Sequence, residues 1–392
     1  MSRFRSGNRI KLLENGTAYF PALEAALDSA SHEIYFETYI FEPDTTGQRI
    51  AAALKRAALR GVHVHLTIDG FGSRILPPAF IQDLQEAGVQ VIIFRPEIAP
   101  FRVRRYRLRR LHRKIVLVDT RVAFVGGINI IDDINTPGQI PPRFDYAVEV
   151  EGPLIGDIWQ TVRRLWLLVS WTHLKQHWLH DGTPGMDLSP AGDMRAAFLI
   201  RDNIRHRREI EEAYLRAIGK AKKEIVIANA YFLPGINFRH ELTKASARGV
   251  RVILLLQGRV EYFLLHYASH ALYGNLLNAG VEIYEYHKSF LHAKVAVIDG
   301  VWATVGSSNI DPFSLLLSRE ANVVVRNRRF AVELRKSLQL AMDTGASQIR
   351  PEAWKQERLW RRALTWLSYG MVRLMMGMAG YAYDAKHGKR GL

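Results

Sequence analysis

Apolar positions in this chain fall into two rhythms that follow one another twice. Short apolar runs bounded by charged or turn residues predict strands, and apolar residues three and four apart predict helices. Around Glu33 the chain reads EIYFETYIFEP, and around Glu224 it reads EIVIANAYFLP. Each is followed by a helical stretch ending in Arg-Gly-Val, at Arg60-Gly61-Val62 and Arg248-Gly249-Val250. A strand-like run comes next, VHVHLTIDG in the first half and RVILLLQG in the second. A second helix then closes on Ala-Gly-Val, at 87–89 and 279–281, before another short apolar run. Both series finish on a long motif, LHRKIVLVDTRVAFVGGINI and LHAKVAVIDGVWATVGSSNI. Strands alternating with helices in the same order twice predict a duplicated α/β protein with two mixed, mainly parallel sheets flanked by helices.

The limits of the halves come from the same patterning. A helix is predicted over 155–171, where Ile155, Ile158, Val162, Leu165 and Val169 fall at helical spacing. The stretch 173–196 carries Gly182, Pro184, Gly185, Pro190 and Gly192 and reads as a loop or linker. The expected division is a first half over 1–175, a linker over 176–196, a second half over 197–345 and a tail over 346–392. In the tail, Trp360, Leu364, Leu367, Met371, Leu374 and Met378 form one apolar stripe, with Arg358, Arg361, Arg362, Thr365 and Ser368 largely off it. Trp354 and Trp366 add interfacial anchors, so the tail predicts a basic amphipathic helix lying on a membrane. The alternatives are a helix docked on the core and a single spanning helix, the latter opposed by Arg373. No window offers about 18 uninterrupted apolar residues, and residues 1–13 are basic without the apolar stretch of a signal peptide.

Charge adds the expectation of an anionic partner. Of 392 residues, 54 are Lys or Arg and 38 Asp or Glu, a formal net charge of +16. Part of that excess is local. Gly88 and His112 are 24 positions apart, Gly280 and His292 only 12, and the extra residues hold Arg102, Arg104, Arg105, Arg107, Arg109 and Arg110 with Phe101 and Tyr106 interleaved. An arginine run is ordinarily a solvated face, but directly before His112 it is placed to meet phospholipid headgroups or, with the same residues, a nucleic-acid backbone. The absence of cysteine excludes disulfide scaffolds, thiolate metal sites and a cysteine nucleophile.

The chemistry sits in the closing motif of each half, His-x-Lys-x4-Asp. The first is His112, Lys114 and Asp119, and the second is His292, Lys294 and Asp299. Residues two apart on a strand share a face, so each histidine projects with its lysine. A small-residue turn then leads to an asparagine, Gly126-Gly127-Ile128-Asn129 and Gly306-Ser307-Ser308-Asn309, where backbone can approach a phosphate and Asn129, Asn309 and Ser307 can donate to its oxygens. Each half also places a carboxylate further on, Asp145 and Glu320, suited to holding a histidine tautomer. The first motif has the shorter arm, which is expected to alter how its histidine is held. If the halves pack about a pseudo-two-fold axis, two histidines, two lysines and two asparagines surround one tetrahedral anion. One neutral imidazole attacks phosphorus and the other, protonated, donates to the leaving oxygen, a division feasible near a histidine pKa of about 6.5. The lysines and asparagines stabilise the non-bridging oxygens, so no cofactor or metal is called for. Asp119 and Asp299 complete the motif as catalytic candidates, although bracing the strand end is the plainer role. His63 with His65 and His266 with His270 read as packed or surface histidines.

The doubled motif with GGIN and GSSN resembles the phospholipase D superfamily, over nearly all of residues 8–326. LLENG (12–16), RDN (201–203), IANAYFLPG (227–235), LHAKVAVID and WATVGSSNIDPFSL (302–315) resemble the bacterial cardiolipin synthases, closest to their type B form. The resemblance implies a phospholipase D-like fold with its active site between the halves. It also implies transfer of a phosphatidyl group from one phosphatidylglycerol to another through a phospho-histidine, releasing glycerol. His112 is then the expected nucleophile and His292 the general acid and base. The implied partners are anionic phospholipid, phosphatidylglycerol above all, and the surface of the bacterial inner membrane, met peripherally through the C-terminal tail, with no nucleic acid expected. A hydrolase of the same superfamily, acting on phospholipid or nucleic acid, uses the same chemistry with water as acceptor. A catalytically silent lipid-binding protein would not need both His/Lys pairs.

Overall fold

The computed structural model describes residues 3–95, 110–134, 140–172, 185–202, 205–260, 263–311, 318–355 and 359–378. The arginine insert up to Arg109 and the linker up to residue 184 lie outside the described residues. The first half runs β1 (Arg5–Glu14), α1 (Asn15–Asp28), β2 (Glu33–Thr38), α2 (Thr45–Leu59), β3 (His63–Asp69), α3 (Pro78–Glu86), β4 (Gln90–Phe94), β5 (Lys114–Val118), β6 (Val122–Gly126), β7 (Tyr146–Glu151) and α4 (Ile155–Thr172). The second repeats the series as β8 (Met194–Arg201), α5 (Glu209–Lys220), β9 (Glu224–Asn229), α6 (Ile236–Ala247), β10 (Arg251–Gln257), α7 (Phe263–His270), α8 (Tyr273–Asn278), β11 (Glu282–Tyr286), β12 (Lys294–Ile298), β13 (Trp302–Gly306), β14 (Glu320–Arg326) and α9 (Arg328–Gly345). β15 (Ala346–Ile349), α10 (Pro351–Lys355) and α11 (Leu359–Met378) follow.

The duplicated α/β architecture expected from the sequence is present, with two differences in the sheets. The strands join in one 15-stranded sheet, in the order β15-β11-β10-β9-β12-β13-β14-β8-β1-β7-β6-β5-β2-β3-β4. The expected two sheets are its two halves, zipped together where β1 pairs antiparallel with β8. Parallel pairing is confined to β2-β3-β4 and β9-β10-β11, the strands joined by crossover helices. Everything from β5 to β7 and from β12 to β14 is antiparallel, and three-residue turns at 119–121 and 299–301 join β5 to β6 and β12 to β13. The expectation of mainly parallel sheets is therefore corrected for the central strands.

Continuous apolar runs mark strands covered on both faces, and β5, β6, β12 and β13 are buried throughout. One apolar cluster lies between the halves and includes Ile158, Val162 and Leu165 of α4 and Phe330, Leu334 and Leu338 of α9. Two more lie on the outer faces, beneath α1–α3 and beneath α5, α6 and α8. The Arg-Gly-Val turns after α2 and α6 put Gly61 at φ +90° and Gly249 at φ +85°, a left-handed conformation that glycine adopts without Cβ strain.

The tail starts as part of the sheet, with β15 pairing antiparallel to β11. α11 then packs on α7. Its docked side carries the buried Thr365, Ser368 and Val372, and Trp366, Leu367, Met371, Leu374 and Met375 remain exposed, Leu367 at 64%. The part of the stripe formed by Leu367, Met371 and Leu374 thus faces outward, and the side carrying Thr365, Ser368 and Val372 makes the contact with the protein. Among the described residues no helix is long and apolar enough to cross a membrane.

Candidate active site

Both His-x-Lys pairs stand just before or on the first residue of a central strand, His112 with Lys114 and His292 with Lys294. Two crossings then join the halves. Leu111 bridges Arg319 and Phe144 bridges Leu291, parallel contacts that carry each histidine to the carboxylate-bearing strand of the other half. The His112 amide donates to the Arg319 carbonyl at 3.0 Å, and the His292 amide to the Phe144 carbonyl at 2.8 Å.

Consequently the histidine–carboxylate pairs are exchanged between halves. His112 Nδ1 lies 3.0 and 3.1 Å from the two oxygens of Glu320, and His292 Nδ1 lies 2.6 Å from Asp145 Oδ2. The expectation that the shorter carboxylate would govern the first motif's histidine is corrected: Asp145 holds His292, because the chain crossings, not sequence proximity, decide which strand ends meet. An Nδ1–H donated to a carboxylate leaves Nε2 as the nitrogen for chemistry. The rings keep 15% and 13% of their side-chain surface accessible, enough for an edge to meet a ligand.

Local residue choices fit each carboxylate to its place. A Cβ at Gly127 would lie 2.4 Å from Asp145 Oδ1, so only glycine admits the short carboxylate there. Its counterpart in the repeat is Ser307, whose hydroxyl donates to Glu320 Oε2 at 2.5 Å. The serine proton is thereby committed to the carboxylate, which removes Ser307 from the phosphate-binding set proposed on sequence and makes it a positioning residue for Glu320. Asn129 Oδ1 accepts the Ile40 amide at 3.2 Å and leaves its NH2 group as donor. Asn309 is buried beside it in the repeat order, and its Oδ1 makes no hydrogen bond among the described residues.

The lysines are buried, and each Nζ donates to the carbonyl of its own histidine, Lys114 at 2.9 Å to His112 and Lys294 to His292. Lys294 Nζ also stands 3.8 Å from Asp145. Burial pushes the Lys114 ammonium down to about 7; Lys294 adds to this, and Glu320 and Asp145 oppose it. Burial likewise takes His292 down to about 3, with the charge of Lys294 adding and Asp145 opposing. His112 is lowered by burial and by both lysines, against the pull of Glu320. Burial alone would raise Asp145, but Lys294 and His292 together bring it below its ordinary value. The six groups form one electrostatic cluster. Both lowered values favour neutral imidazoles at neutral pH, and an arriving anion offsets the lysine charge and raises them.

Asp119 and Asp299 belong elsewhere. They lie at the far ends of β5 and β12 from the histidines, seven positions on, roughly 20 Å away at strand rise. Asp119 accepts the amides of Ser31, His32 and Glu33, and Asp299 those of Lys222, Lys223 and Glu224. With φ of +51° and +53° they shape the turn and pin the start of β2 and β9. Their assignment as catalytic is corrected to the structural role, since each carboxylate is engaged by three backbone donors at the strand end away from the histidines.

Three neighbours were not singled out from the sequence. Tyr39 packs edge-on to His112 at 4.7 Å between ring centres, with Lys114 Nζ 5.2 Å over its face. Phe290 stacks on His292 at 5.9 Å. Asn229, opposite Lys294 in the β9–β12 register, accepts the Ile310 amide at 3.1 Å and fixes the chain after Asn309. Signals were present for Tyr39 and Asn229, each in the closing residues of a repeated strand motif. Among the described residues, the other histidine pairs hold no such site. His65 bonds Gln90 at 2.8 Å and packs on Tyr35 and Trp166. His270 meets Glu285 at 2.9 Å, a carboxylate that its helix does not supply. Among the described residues no group of three or more such side chains could hold a metal ion.

A doubled α/β sheet presenting two His-x-Lys pairs at its junction is the architecture of a phospholipase D-like protein. The sequence profile of the family described as "Cardiolipin synthase, PLD-like domain" matches residues 23–136 and 214–341, once in each half, and the chain belongs to that family. It is 37% identical over 378 residues to cardiolipin synthase B of Shigella flexneri, covering 96% of this chain and 91% of that protein. It is 31% identical over 361 residues to a cardiolipin synthase of Halalkalibacterium halodurans, covering 90% and 70%. The crystal structure of a phosphatidylserine synthase from Haemophilus influenzae shares the fold, with a TM-score of 0.68 and 12% identity over 94% of this chain and 93% of that one.

Proposed function

We propose that this protein is a cardiolipin-forming phosphatidyltransferase acting on phosphatidylglycerol. The observation that carries the reading is the exchanged pairing, His112 with Glu320 and His292 with Asp145 around two buried lysines, in a chain of the cardiolipin synthase family. His112 Nε2 attacks the phosphorus of a donor phosphatidylglycerol. The phosphorus–nitrogen bond forms as the bond to the glycerol headgroup breaks, and His292 protonates the departing oxygen. A second phosphatidylglycerol enters, its hydroxyl gives a proton to His292, and its oxygen displaces His112 from phosphorus. Lys114, Lys294, Asn129 and Asn309 bear on the non-bridging oxygens, where charge builds during each displacement. Glu320 and Asp145 hold the rings and stabilise the imidazolium form.

The membrane seat is α11. Its outward stripe of Leu367, Met371 and Leu374 enters the interface of an anionic bilayer, with Trp366 at its margin. α7, on which it rests, follows β10 from the end of the sheet where Asn229 pairs with Lys294. Burying one such side chain contributes about 1.5–3 kcal/mol. Leu367→Gln/Met371→Gln should therefore lower binding to phosphatidylglycerol vesicles at least tenfold with the thermal unfolding curve unchanged; undiminished binding refutes this seat.

The test of the activity is a product assay. Purified protein is incubated with phosphatidylglycerol vesicles and the lipids are identified by mass spectrometry. Cardiolipin with an equivalent of free glycerol is the expected result. Phosphatidic acid in its place would make the protein a hydrolase, and unchanged lipid would refute the reading.

A further inference from the structure

The pseudo-two-fold presents one notch twice, behind each crossing of a histidine strand and a carboxylate strand. Arg113 lies between His112 and Lys114, and Arg319 precedes Glu320, so both project to the face opposite the catalytic groups. The corresponding residues of the other crossing are Ala293 and Phe144. The two notches differ accordingly. The one beside Phe144 is a cavity of about 140 Å³ whose only lining cation is Lys288. The one beside Arg319 is a cavity of about 680 Å³ lined by Arg3, Arg95, Arg113, Arg164, Arg205 and Arg319.

Six arginines but only two carboxylates, Asp157 and Asp202, are among the residues lining this cavity. Asp157 is engaged by Arg5 at 2.9 Å, and Asp202 accepts the amides of Arg205 and His206 at 2.8 and 2.9 Å. Glu37 pairs with Arg113 at 2.8 Å and is the same carboxylate that faces Arg319. Burial and the charge of Arg113 push the Arg319 guanidinium down to about 10, against the pull of Glu37 and Asp202. Packing at this crossing needs no cation, since alanine and phenylalanine serve in the other half. Guanidinium forks converging on a cavity of this size match a phosphodiester with its glycerol. The wall formed by Leu165, Leu168, Phe198 and Ile200 suits the carbon chain that follows. The cleft lies where β4 and β8 end, and β8 pairs Arg201 with Glu320 there, so it shares the catalytic end of the sheet.

We propose that this arginine cleft binds the phosphodiester headgroup of an anionic phospholipid other than the one undergoing transfer. The choice of a lipid over a soluble phosphate rests on the phosphatidyltransferase reading; the phosphate chemistry does not. The cleft is separated from the histidines by the 110–113 and 319–320 backbone, so its occupant is held near the reaction without taking part in it.

The test is calorimetric titration of the full chain carrying His112→Ala, with soluble dihexanoyl phosphatidylglycerol as probe. Two classes of site are expected, and Arg164→Gln/Arg319→Gln should weaken one of them at least tenfold and leave the other. Arg164→Gln alone, exposed on α4, should weaken the same class partially without affecting the fold. Dihexanoyl phosphatidylcholine should not compete. Unchanged isotherms in both variants overturn the proposal. Inorganic phosphate displacing phosphatidylglycerol from this class at equal affinity would make it a free-phosphate site, and tighter displacement by a single-stranded oligonucleotide would make it a nucleic-acid site; either overturns the lipid assignment. Binding is read without turnover, so the product assay can fail while this site stands, and the reverse.

Discussion

The two halves share a fold and divide the work unequally. The first places the short Asp145 against Gly127, and the second places the longer Glu320 against the hydroxyl of Ser307. Each then serves the other half's histidine, at 2.6 Å for His292 and 3.0 Å for His112. Behind the crossings one notch is wide and basic and the other narrow and neutral. Duplication thus preserved the backbone path that brings the strand ends together, and side chains on that path diverged in matched sets. A carboxylate and the residue beside it change as one, since an added methylene needs a new hydrogen-bond donor and a removed one needs a missing Cβ.

The largest break in this comparison comes from the histidines. His112→Ala and His292→Ala should each reduce cardiolipin formation at least about 1,000-fold, within the range for losing a nucleophile or a positioned acid–base group. Their roles separate with a donor whose leaving group needs no proton, such as a p-nitrophenyl phosphodiester. His292→Ala should still form a trapped phospho-enzyme with it and His112→Ala should not. The opposite pattern would reverse the assignment.

The carboxylate sets can be exchanged. Gly127→Ser alone drives its Cβ into Asp145 and should lower kcat by about 10- to 100-fold, the scale of a disturbed charged hydrogen bond. Gly127→Ser/Asp145→Glu copies the second half's arrangement and should recover most of that loss. A double variant no better than the single one would show that the sets are not interchangeable.

A smaller effect follows from pH. Lys114 is pushed to about 7, so it loses its proton above neutrality while free in solution it would not until about 10.4. kcat/KM should fall on the alkaline side with an apparent pKa near 7 belonging to the coupled cluster. The same depressed value means the folded protein binds fewer protons than the unfolded chain between pH 7 and 10.4. This group's contribution to stability therefore grows as pH rises through that window. A flat rate profile from pH 6 to 9 would contradict the assignment.

The least effect on activity is expected at Asp119 and Asp299. Asp119→Ala or Asp299→Ala removes the acceptor of three amides and should cost about 1–3 kcal/mol of stability, read as a lowered melting temperature. The folded fraction should keep kcat within about twofold, and a catalytic role would instead abolish it at unchanged Tm.

The repeat, the two His-x-Lys pairs, the asparagines after them and the carboxylate candidates were all legible in the sequence. Each is a local feature: strand alternation sets which neighbours share a face, and a repeated motif needs no knowledge of what it packs against. The tail's stripe was legible for the same reason. Its orientation was not, because only the docking of Thr365, Ser368 and Val372 on α7 turns Leu367 and Met371 outward. The joining of the sheet along β1 and β8, the exchange of carboxylates between halves and the recruitment of Ser307 by Glu320 were likewise decided by tertiary structure. These depend on which strand ends cross, a contact between residues up to 208 positions apart. The depressed lysine and histidine proton affinities come last in that chain. They arise from burial beside one another, a property of the assembled site that no single segment carries.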